Sequence, residues 1–299
     1  MKQIAVGIDI GGTNTRVAWI DEDKNIRNRI LFPTDPNHPD ETMWKIKEAI
    51  DTMDMGVIGA GVSCPGPLDL KKGIVLTPPN LPAWHFYPIT EKMQDILHIP
   101  VYLENDANLA CLGEAVAGAG KHADIVQYLT ISTGVGSSFV IHGDIYQGAH
   151  GFAHEIANMI LWKDGPSIGD LQKGSIESIS SGTAITRRAM DQGLEVAHAG
   201  EVASLAQQGC HQAHQIIEDA KEYLANGIAA LFAINDPDII ILGGSVALKI
   251  DGFIEDIQQR VKAKVYDNLK DYVCITAAQL GDDSGLIGAA QLAFQHSIK

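Results

Sequence analysis

The sequence predicts an α/β fold in which one strand–turn–strand arrangement occurs twice. An apolar run at 4–8 leads into the glycine-bearing segment 9–16, and a second apolar run at 17–20 leads out of it. About 120 residues later, the apolar runs 125–131 and 137–141 flank a second glycine turn. Strand-length runs alternate with amphipathic helical segments along the rest of the chain. This alternation and the repeat indicate an internal duplication of one α/β unit.

The individual elements follow from apolar periodicity and from residues that break regular structure. The proline-rich segment 77–82 excludes a helix or strand there. Either Asn105 or Asp106 suits the N-cap of a helix that begins just after the strand 101–103. Predicted strands cover 4–8, 17–20, 25–33, 57–62, 101–103, 125–131, 137–141, 239–242 and 273–275, and predicted helices cover 40–53, 89–97, 106–117, 182–190, 212–234, 254–265 and 283–295.

Composition narrows the class of protein. The chain has 299 residues, enough for two domains, and 45% hydrophobic with 20% charged residues is typical of soluble globular proteins. The net charge of −15 and the absence of a lysine- or arginine-rich run argue against a nucleic-acid surface. No apolar run approaches the roughly 20 residues of a membrane helix. Four scattered cysteines without a C-x-x-C pair, and a strand that begins near residue 4, predict a cytoplasmic protein with reduced thiols.

Three glycine turns follow strands, at 11–13, 132–136 and 243–245. Glycines leave backbone N–H groups uncovered, so that these groups can point at an anion such as a phosphate. Asp9 could hold a divalent cation near that phosphate, although a hairpin with an acidic corner remains an alternative. No P-loop motif is present and no lysine lies in these turns, so a phosphate site at these turns would depend on backbone N–H groups, helix N-termini and magnesium.

Asp106 is the candidate general base. It stands where a strand ends and a helix begins, and it could accept a proton from a substrate hydroxyl that attacks a terminal phosphorus. An aspartate with an ordinary pKa of about 3.9 is a weak base for an alcohol, but phosphoryl transfer depends mainly on positioning. The alternative is that Asp106 is only a helix N-cap.

Five segments occur in order along the chain: Asp9-Ile-Gly-Gly-Thr, Pro65-Gly66, Glu104-Asn-Asp-Ala-Asn, Ser132-Thr-Gly-Val-Gly and Leu242-Gly-Gly-Ser. Together they resemble the ROK family of sugar kinases, within the actin-like ATPase (ribonuclease H-like) fold. The resemblance covers nearly the whole chain. It implies two duplicated α/β domains with an interdomain cleft, an N-terminal domain over 1–117 to which a final helix at 283–299 returns, and a C-terminal domain over 118–282.

The same resemblance assigns roles to individual residues. Asp106 would be the general base on the 6-hydroxyl of a sugar, and Asp9 would hold Mg²⁺, directly or through water. The sugar would be bound by Gly66, Asn80, Asn105, Glu155, Asn158 and Glu177. ATP would be bound by Asp9, Gly11, Gly12, Thr13, Asn14, Thr133, Gly134, Gly136, Gly243 and Gly244.

The segment 148–158 departs from the family pattern G-A-x-G-x-A-G-E-x-G-H. His154 and Ala157 replace glycines, and Asn158 replaces the histidine that usually binds structural zinc. Ser175 stands where the last zinc cysteine is expected. Because zinc needs about four nitrogen or sulfur ligands, we predict no structural zinc.

The sequence therefore predicts an ATP- and Mg²⁺-dependent hexose 6-phosphotransferase that acts on glucose and binds neither nucleic acid nor membrane. N-acetylmannosamine, fructose or a β-glucoside are alternative substrates within the family. A sugar-responsive regulator or sensor without catalysis is the alternative from another class, and the intact Asp106 argues against it. A homodimer would be usual for the family.

Overall fold

The computed structural model describes residues 2–53, 56–78 and 80–297. The chain forms two compact units. Unit 1 runs from the N-terminus to His122 and adds Gly143–Gly151 and the chain from Leu280 on, whereas unit 2 comprises Ala123–His142 and Phe152–Gln279. These limits differ from the predicted boundaries after residues 117 and 282, and 143–151 belongs to unit 1 although we predicted it in the second domain. The last two residues of the predicted segment 283–299 lie outside the described residues.

Twelve strands and ten α-helices make up the described part of the chain. In chain order, the strands are β1 (Ile4–Ile10), β2 (Asn14–Asp21), β3 (Ile26–Pro33), β4 (Ala60–Cys64), β5 (Leu68–Asp69), β6 (Ile74–Val75), β7 (Val101–Asn105), β8 (Ile125–Ile131), β9 (Val135–Ile141), β10 (Asp144–Ile145), β11 (Ile239–Gly243) and β12 (Ile275–Ala277). The α-helices are α1 (Pro39–Asp51), α2 (Ile89–Leu97), α3 (Asp106–Ala117), α4 (Ile176–Ser180), α5 (Gly182–Asp191), α6 (Ala199–Gln207), α7 (His211–Asn235), α8 (Ser245–Lys249), α9 (Phe253–Lys262) and α10 (Ser284–Ser297). Short 3-10 helices lie at Pro82–Trp84, Ile156–Asn158, Asp267–Tyr272 and Gly281–Asp283.

The sheet of unit 1 has the strand order β3-β2-β1-β4-β7. Strand β1 is antiparallel to β2 and parallel to β4, and β4 is parallel to β7. Helix α10 lies directly on this sheet, because a Cβ atom at Gly61 would stand 1.8 Å from the carbonyl oxygen of Ala289, and one at Gly7 would stand 2.1 Å from that of Leu286. Glycine at these two positions therefore lets α10 pack closely onto β1 and β4.

The sheet of unit 2 follows the same plan, with β9, β8, β11 and β12 as successive neighbours. Strand β8 is antiparallel to β9 and parallel to β11, and β11 is parallel to β12. The long helix α7 packs into the core of this unit through Ile216, Leu224, Ile228 and other buried residues. Each unit thus consists of an antiparallel hairpin followed by parallel strands with helices on the sheet, which is the α/β architecture that the repeat predicts.

Several predicted elements are displaced or missing. The strand predicted at 57–62 lies at Ala60–Cys64, because pairing with β1 begins at Val6–Ala60, and the strand predicted at 273–275 lies at Ile275–Ala277. Helices α4 and α8 have five residues each and show too little periodicity to predict. Helix α6 is capped by the ring of His198, which accepts a hydrogen bond from the backbone N–H of Glu201 and is not a usual N-cap. No helix among the described residues is long and apolar enough to cross a membrane.

Candidate functional site

The first glycine turn places a carboxylate beside a cation. Asp9 and Arg16 are cross-strand partners in the β1–β2 hairpin, and Oδ2 of Asp9 lies 3.3 Å from Nη1 of Arg16. The other Arg16 nitrogen, Nη2, lies 3.1 Å from Oδ2 of Asp282. Burial raises the pKa of Asp9, whereas the Arg16 charge acts to lower it. The turn itself is tight, since the N–H of Gly11 donates to the carbonyl of Asn14 at 2.9 Å.

Asn105 is the N-cap of the helix that follows β7. Its side-chain oxygen accepts hydrogen bonds from the N–H groups of Ala107 and Asn108, at 2.9 and 3.4 Å. Asp106 is the first residue of the helix, and its Oδ1 accepts from the N–H of Ala107 at 2.8 Å. The helix is therefore capped without Asp106, and the alternative that Asp106 is only an N-cap is wrong.

Asp106 is exposed at the surface, but protein atoms surround its carboxyl group and displace part of the water that would solvate the charge. This desolvation raises the pKa of Asp106, and the negative charge of Asp9 raises it further, against the N–H of Ala107, which lowers it. A carboxylate with a raised pKa is a better proton acceptor than an ordinary aspartate. The strand ends of unit 1 therefore hold two carboxylates, Asp9 and Asp106, and the charge of Asp9 acts on Asp106.

Two further predicted contacts of the substrate lie against this corner. A Cβ atom at Gly66 would stand 3.5 Å from Nδ2 of Asn105, and one at Gly12 would stand 3.0 Å from the Cβ of Asn80. The structure thus brings Gly66 to Asn105 and Asn80 to the first glycine turn. Because β1, β4 and β7 are parallel neighbours, their carboxyl ends meet at one edge of the sheet, where α/β proteins bind ligands. The remaining predicted residues of this turn are Gly11, Thr13 and Asn14, with Asn14 opening β2.

The second glycine turn meets a carboxylate from a distant helix. Ser132 donates its N–H to the carbonyl of Gly134 at 2.9 Å, and the N–H of Val135 donates to Oε2 of Glu177 at 2.7 Å. Glu177 belongs to α4, and the resemblance assigns it to the sugar. The structure places its carboxylate at the predicted phosphate turn, beside Gly134, where a Cβ atom would stand 2.7 Å from Oε2. The role of Glu177 in sugar binding stays a prediction.

The third glycine turn lies beside a cavity of unit 2 of about 930 Å³. Gly244 has φ +85°, a conformation that favours glycine, and Oγ of the next residue, Ser245, lies 3.2 Å from Oγ of Ser132. Ser132, Thr133 and Ser245 line the cavity, so it joins the second and third turns. A volume of several hundred Å³ is typical of pockets for small molecules and cofactors.

The residues that form the other walls of this cavity were not predicted from the sequence. They include Thr183, Thr186, Arg187, His198, Glu201 and Lys249. These residues lie at the polar starts and faces of α5, α6 and α8, and two of those helices were not predicted. These residues come from separate parts of the chain. Only the tertiary structure brings them next to the second and third glycine turns, so no local sequence pattern indicates them.

The segment that departs from the family pattern is held by hydrogen bonds. Oδ1 of Asn158 accepts from the N–H of Gln172 at 2.8 Å, and the buried Ser175 caps α4 through the N–H of Ser178 at 3.3 Å. His154 has φ +63°, its ring lies 4.8 Å from that of Phe139, and burial lowers its pKa. Glu155 follows at the start of the 3-10 helix Ile156–Asn158. In the described ranges, no three His, Cys, Asp or Glu side chains could together hold a metal ion; the absence of zinc stays a prediction.

Known proteins are similar to this chain over nearly its whole length. The model of the ROK family matches residues 5–296. A glucokinase of Thermotoga maritima is 30% identical over 96% of both chains, and an N-acetylmannosamine kinase of Citrobacter koseri is 29% identical over 96% of this chain and 98% of its own. A ROK hexokinase from Thermus thermophilus superposes with a TM-score of 0.91 at 29% identity, covering 98% and 99% of the two chains. A ROK family glucokinase from Streptomyces griseus, in complex with glucose and AMPPNP, has a TM-score of 0.74 at 28% identity and the same coverage.

Proposed function

Because this chain belongs to the ROK family and is a sugar kinase with the actin-like ATPase fold, we propose that it transfers the terminal phosphoryl group of ATP to the 6-hydroxyl of a hexose, with glucose as the first candidate. The observation that carries this proposal is the corner at the end of β7. There Asn105 caps the helix, so the desolvated Asp106 carboxylate is not needed as the N-cap and can act as a base.

Asp106 would accept the proton of the sugar 6-hydroxyl as its oxygen attacks the terminal phosphorus and the bond to ADP breaks. The transition state of this reaction is loose, so a modest base suffices when the hydroxyl is positioned in line. The raised pKa of Asp106 brings the base closer to the operating pH. Gly66, Asn80 and Asn105 lie at this corner or at the adjacent turn and would orient the sugar. Glu155 and Asn158 would contribute further hydroxyl contacts, with Asn158 using its amide nitrogen because its oxygen binds Gln172.

ATP would occupy the cavity beside the second and third glycine turns. The AMPPNP complex of the Streptomyces griseus relative supports ATP as the nucleotide, and the cavity volume of about 930 Å³ is large enough for a cofactor of this kind. Thr133, Gly134 and Gly136 would face the phosphates from the second turn, and Gly243 and Gly244 would lie against the adenosine. The first glycine turn would also contact ATP, through Gly11, Gly12, Thr13 and Asn14.

Asp9 fits a Mg²⁺ ion that is held mainly by phosphates and water. Its carboxylate lies at a strand end, is partly buried, and has the positive charge of Arg16 at 3.3 Å. Mg²⁺ in kinases typically takes one or two carboxylates and completes its octahedron with phosphate oxygens and water. When bound, the ion would offset the negative charge that develops on the phosphates.

The substrate alternatives are N-acetylmannosamine, which the Citrobacter koseri relative supports, and fructose or a β-glucoside. A homodimer and a cytoplasmic location stay predictions from the sequence. A regulator or sensor that binds sugar without catalysis is the competing function.

The deciding experiment is a coupled assay of ADP release across hexoses, N-acetylhexosamines and β-glucosides. We expect Asp106→Asn to abolish phosphorylation and to leave sugar binding measurable, while Asp95→Asn, on the exposed face of α2, keeps wild-type turnover. Substantial turnover by Asp106→Asn would remove Asp106 from the base role. A wild-type chain that binds a sugar and releases no ADP would instead support the sensor.

A further inference from the structure

Glu104 is a buried carboxylate directly before the catalytic corner, and the proposed mechanism does not use it. Its side chain is fully buried at the end of β7. Oε1 accepts hydrogen bonds from the backbone N–H of Asn105 at 2.8 Å and from Nδ2 of Asn108 at 2.9 Å. Oε2 accepts from Nε2 of Gln147 at 2.5 Å. A buried carboxylate is costly unless hydrogen bonds replace its water, so these amides determine where Glu104 can lie.

The two oxygens of Glu104 reach different parts of unit 1. Oε1 holds the residues on either side of Asp106 along the chain, Asn105 and Asn108. Oε2 holds Gln147, which follows β10 and directly precedes Gly148. The chain from Gly148 onward is the segment that presents Glu155 in the proposed sugar site. One carboxylate therefore ties the general-base corner to the beginning of the sugar-binding segment.

We propose that Glu104 and Gln147 are positioning residues: their hydrogen bond, within unit 1, holds the start of the sugar-binding segment 148–158 to the strand end that carries Asp106. The inference rests on the proposed function. Neither residue touches the sugar in this scheme. Glu104 acts through Asn105 and Asn108, and Gln147 acts through the backbone that leads to Glu155.

A second glutamine hydrogen bond, to the residues that lead into this segment, provides a matched control. Nε2 of Gln295, on α10, donates to the carbonyl of Gly143 at 2.6 Å, at the opposite end of the 143–147 stretch. Gln295→Leu removes a glutamine hydrogen bond from this stretch without changing Glu104. If the pair were only structural, Gln295→Leu and variants of Gln147 would have the same kinds of effect.

The test exchanges the two side chains. Glu104→Gln keeps an oxygen for Asn105 and Asn108 but sets its NH₂ group against the NH₂ group of Gln147. Gln147→Glu sets two carboxylates against each other. We expect each single variant to raise the hexose KM about tenfold and to release more ADP per sugar phosphate formed, while the ATP KM changes less than about twofold. The double variant Glu104→Gln/Gln147→Glu reverses the donor and the acceptor and should recover most of the loss.

Hexose binding without ATP, measured by calorimetry on the same variants, separates this inference from the proposed function. We expect the hexose Kd to follow the pattern of the hexose KM, and Gln295→Leu to lower at most the melting temperature. Single variants that behave like the wild type, or a double variant no better than the worse single variant, would overturn the positioning role. A wild-type chain that binds hexose but transfers no phosphoryl group would overturn the proposed function alone, because the Kd pattern still reports on the pair. A chain that binds no hexose would overturn both.

Discussion

The first and second glycine turns begin with the same sequence plan but meet charge in different ways. In the first hairpin the last paired residues are Ile10 and Thr15, and the cross-strand pair Asp9–Arg16 places a carboxylate and a cation on the strands themselves. In the second hairpin Ile131 pairs with Val135, and the strands carry the uncharged pair Thr130–Gly136. The carboxylate near the second turn comes from Glu177 on α4 and binds the N–H of Val135.

This difference shows that a repeated strand–glycine–strand pattern predicts backbone shape and not charge. An N–H group that already binds a carboxylate is not free to bind a phosphate, and the carboxylate repels the phosphate charge. We therefore expect the metal to lie at the first turn. The second turn would contact the nucleotide through its remaining N–H groups and through the hydroxyls of Ser132 and Thr133, which line the cavity of unit 2.

Among the variants that compare the glycine turns, Asp9→Asn should have the largest effect on kcat. Asp9→Asn removes the negative charge of the proposed metal ligand, and we expect kcat to fall by about 100-fold or more. Glu177→Gln keeps an oxygen for the N–H of Val135 and should lower kcat by less than about tenfold. The coupled ADP assay at saturating sugar and a range of Mg²⁺ concentrations measures both variants. Equal losses would make the two turns equivalent and contradict the comparison.

At the third turn, the next largest expected effect is on the free energy of unfolding. A Cβ atom at Gly244, where φ is +85°, would stand 2.4 Å from the carbonyl oxygen of Ile131. We expect Gly244→Ala to lower the free energy of unfolding by roughly 2–4 kcal/mol, from backbone strain together with this clash. Gly252→Ala is the matched control, because φ is +67° and no atom lies within 4 Å of its Cβ position. It should cost about 1 kcal/mol. Similar midpoints in chemical denaturation for the two variants would show that the clash does not matter.

The first turn also influences the base, because desolvation and the Asp9 charge both raise the pKa of Asp106. An aspartate accepts a proton only when ionised, so activity is present above its pKa and is lost as the pH falls through it. We expect the acidic limb of kcat/KM for the sugar to lie above the ordinary aspartate value of about 3.9. A limb at or below that value would contradict the raised pKa, and the melting temperature across the same pH range controls for unfolding.

The smallest effects are expected for two glycine variants, one in each of the first two turns. Gly134→Ala would displace the flexible end of Glu177 and free the N–H of Val135, so we expect the ATP KM to change a few-fold and stability by less than about 1 kcal/mol. Gly12→Ala would press on Asn80, whose Cβ lies 3.0 Å from the new methyl position, and should raise the hexose KM a few-fold. Initial-rate kinetics with each substrate varied measures both. An unchanged hexose KM for Gly12→Ala, or an unchanged ATP KM for Gly134→Ala, would contradict the role of these contacts.

Local sequence pattern predicted most of the fold. The run 125–131 coincides with β8, and the five motifs led to the ROK family and the actin-like ATPase fold, both of which are confirmed. The displaced strand β4 shows the limit, because its start is determined by pairing with Val6 and Val101 on its neighbours rather than by its own apolar run. The short helices α4 and α8 were missed since five residues carry little periodicity.

By itself, the sequence determined the α/β class, the three glycine turns and the candidate base, because each depends on residues that are close together in the chain. Only the tertiary structure decided how the charges are arranged. It brings Glu177 to Val135 across 42 residues and Gln147 to Glu104 across 43 residues. Such contacts depend on how strands and helices pack, and no local periodicity encodes them. The first glycine turn is the intermediate case, since the Asp9–Arg16 pair follows from the hairpin register, while its link to Asp282 spans 266 residues and requires the last part of the chain to return.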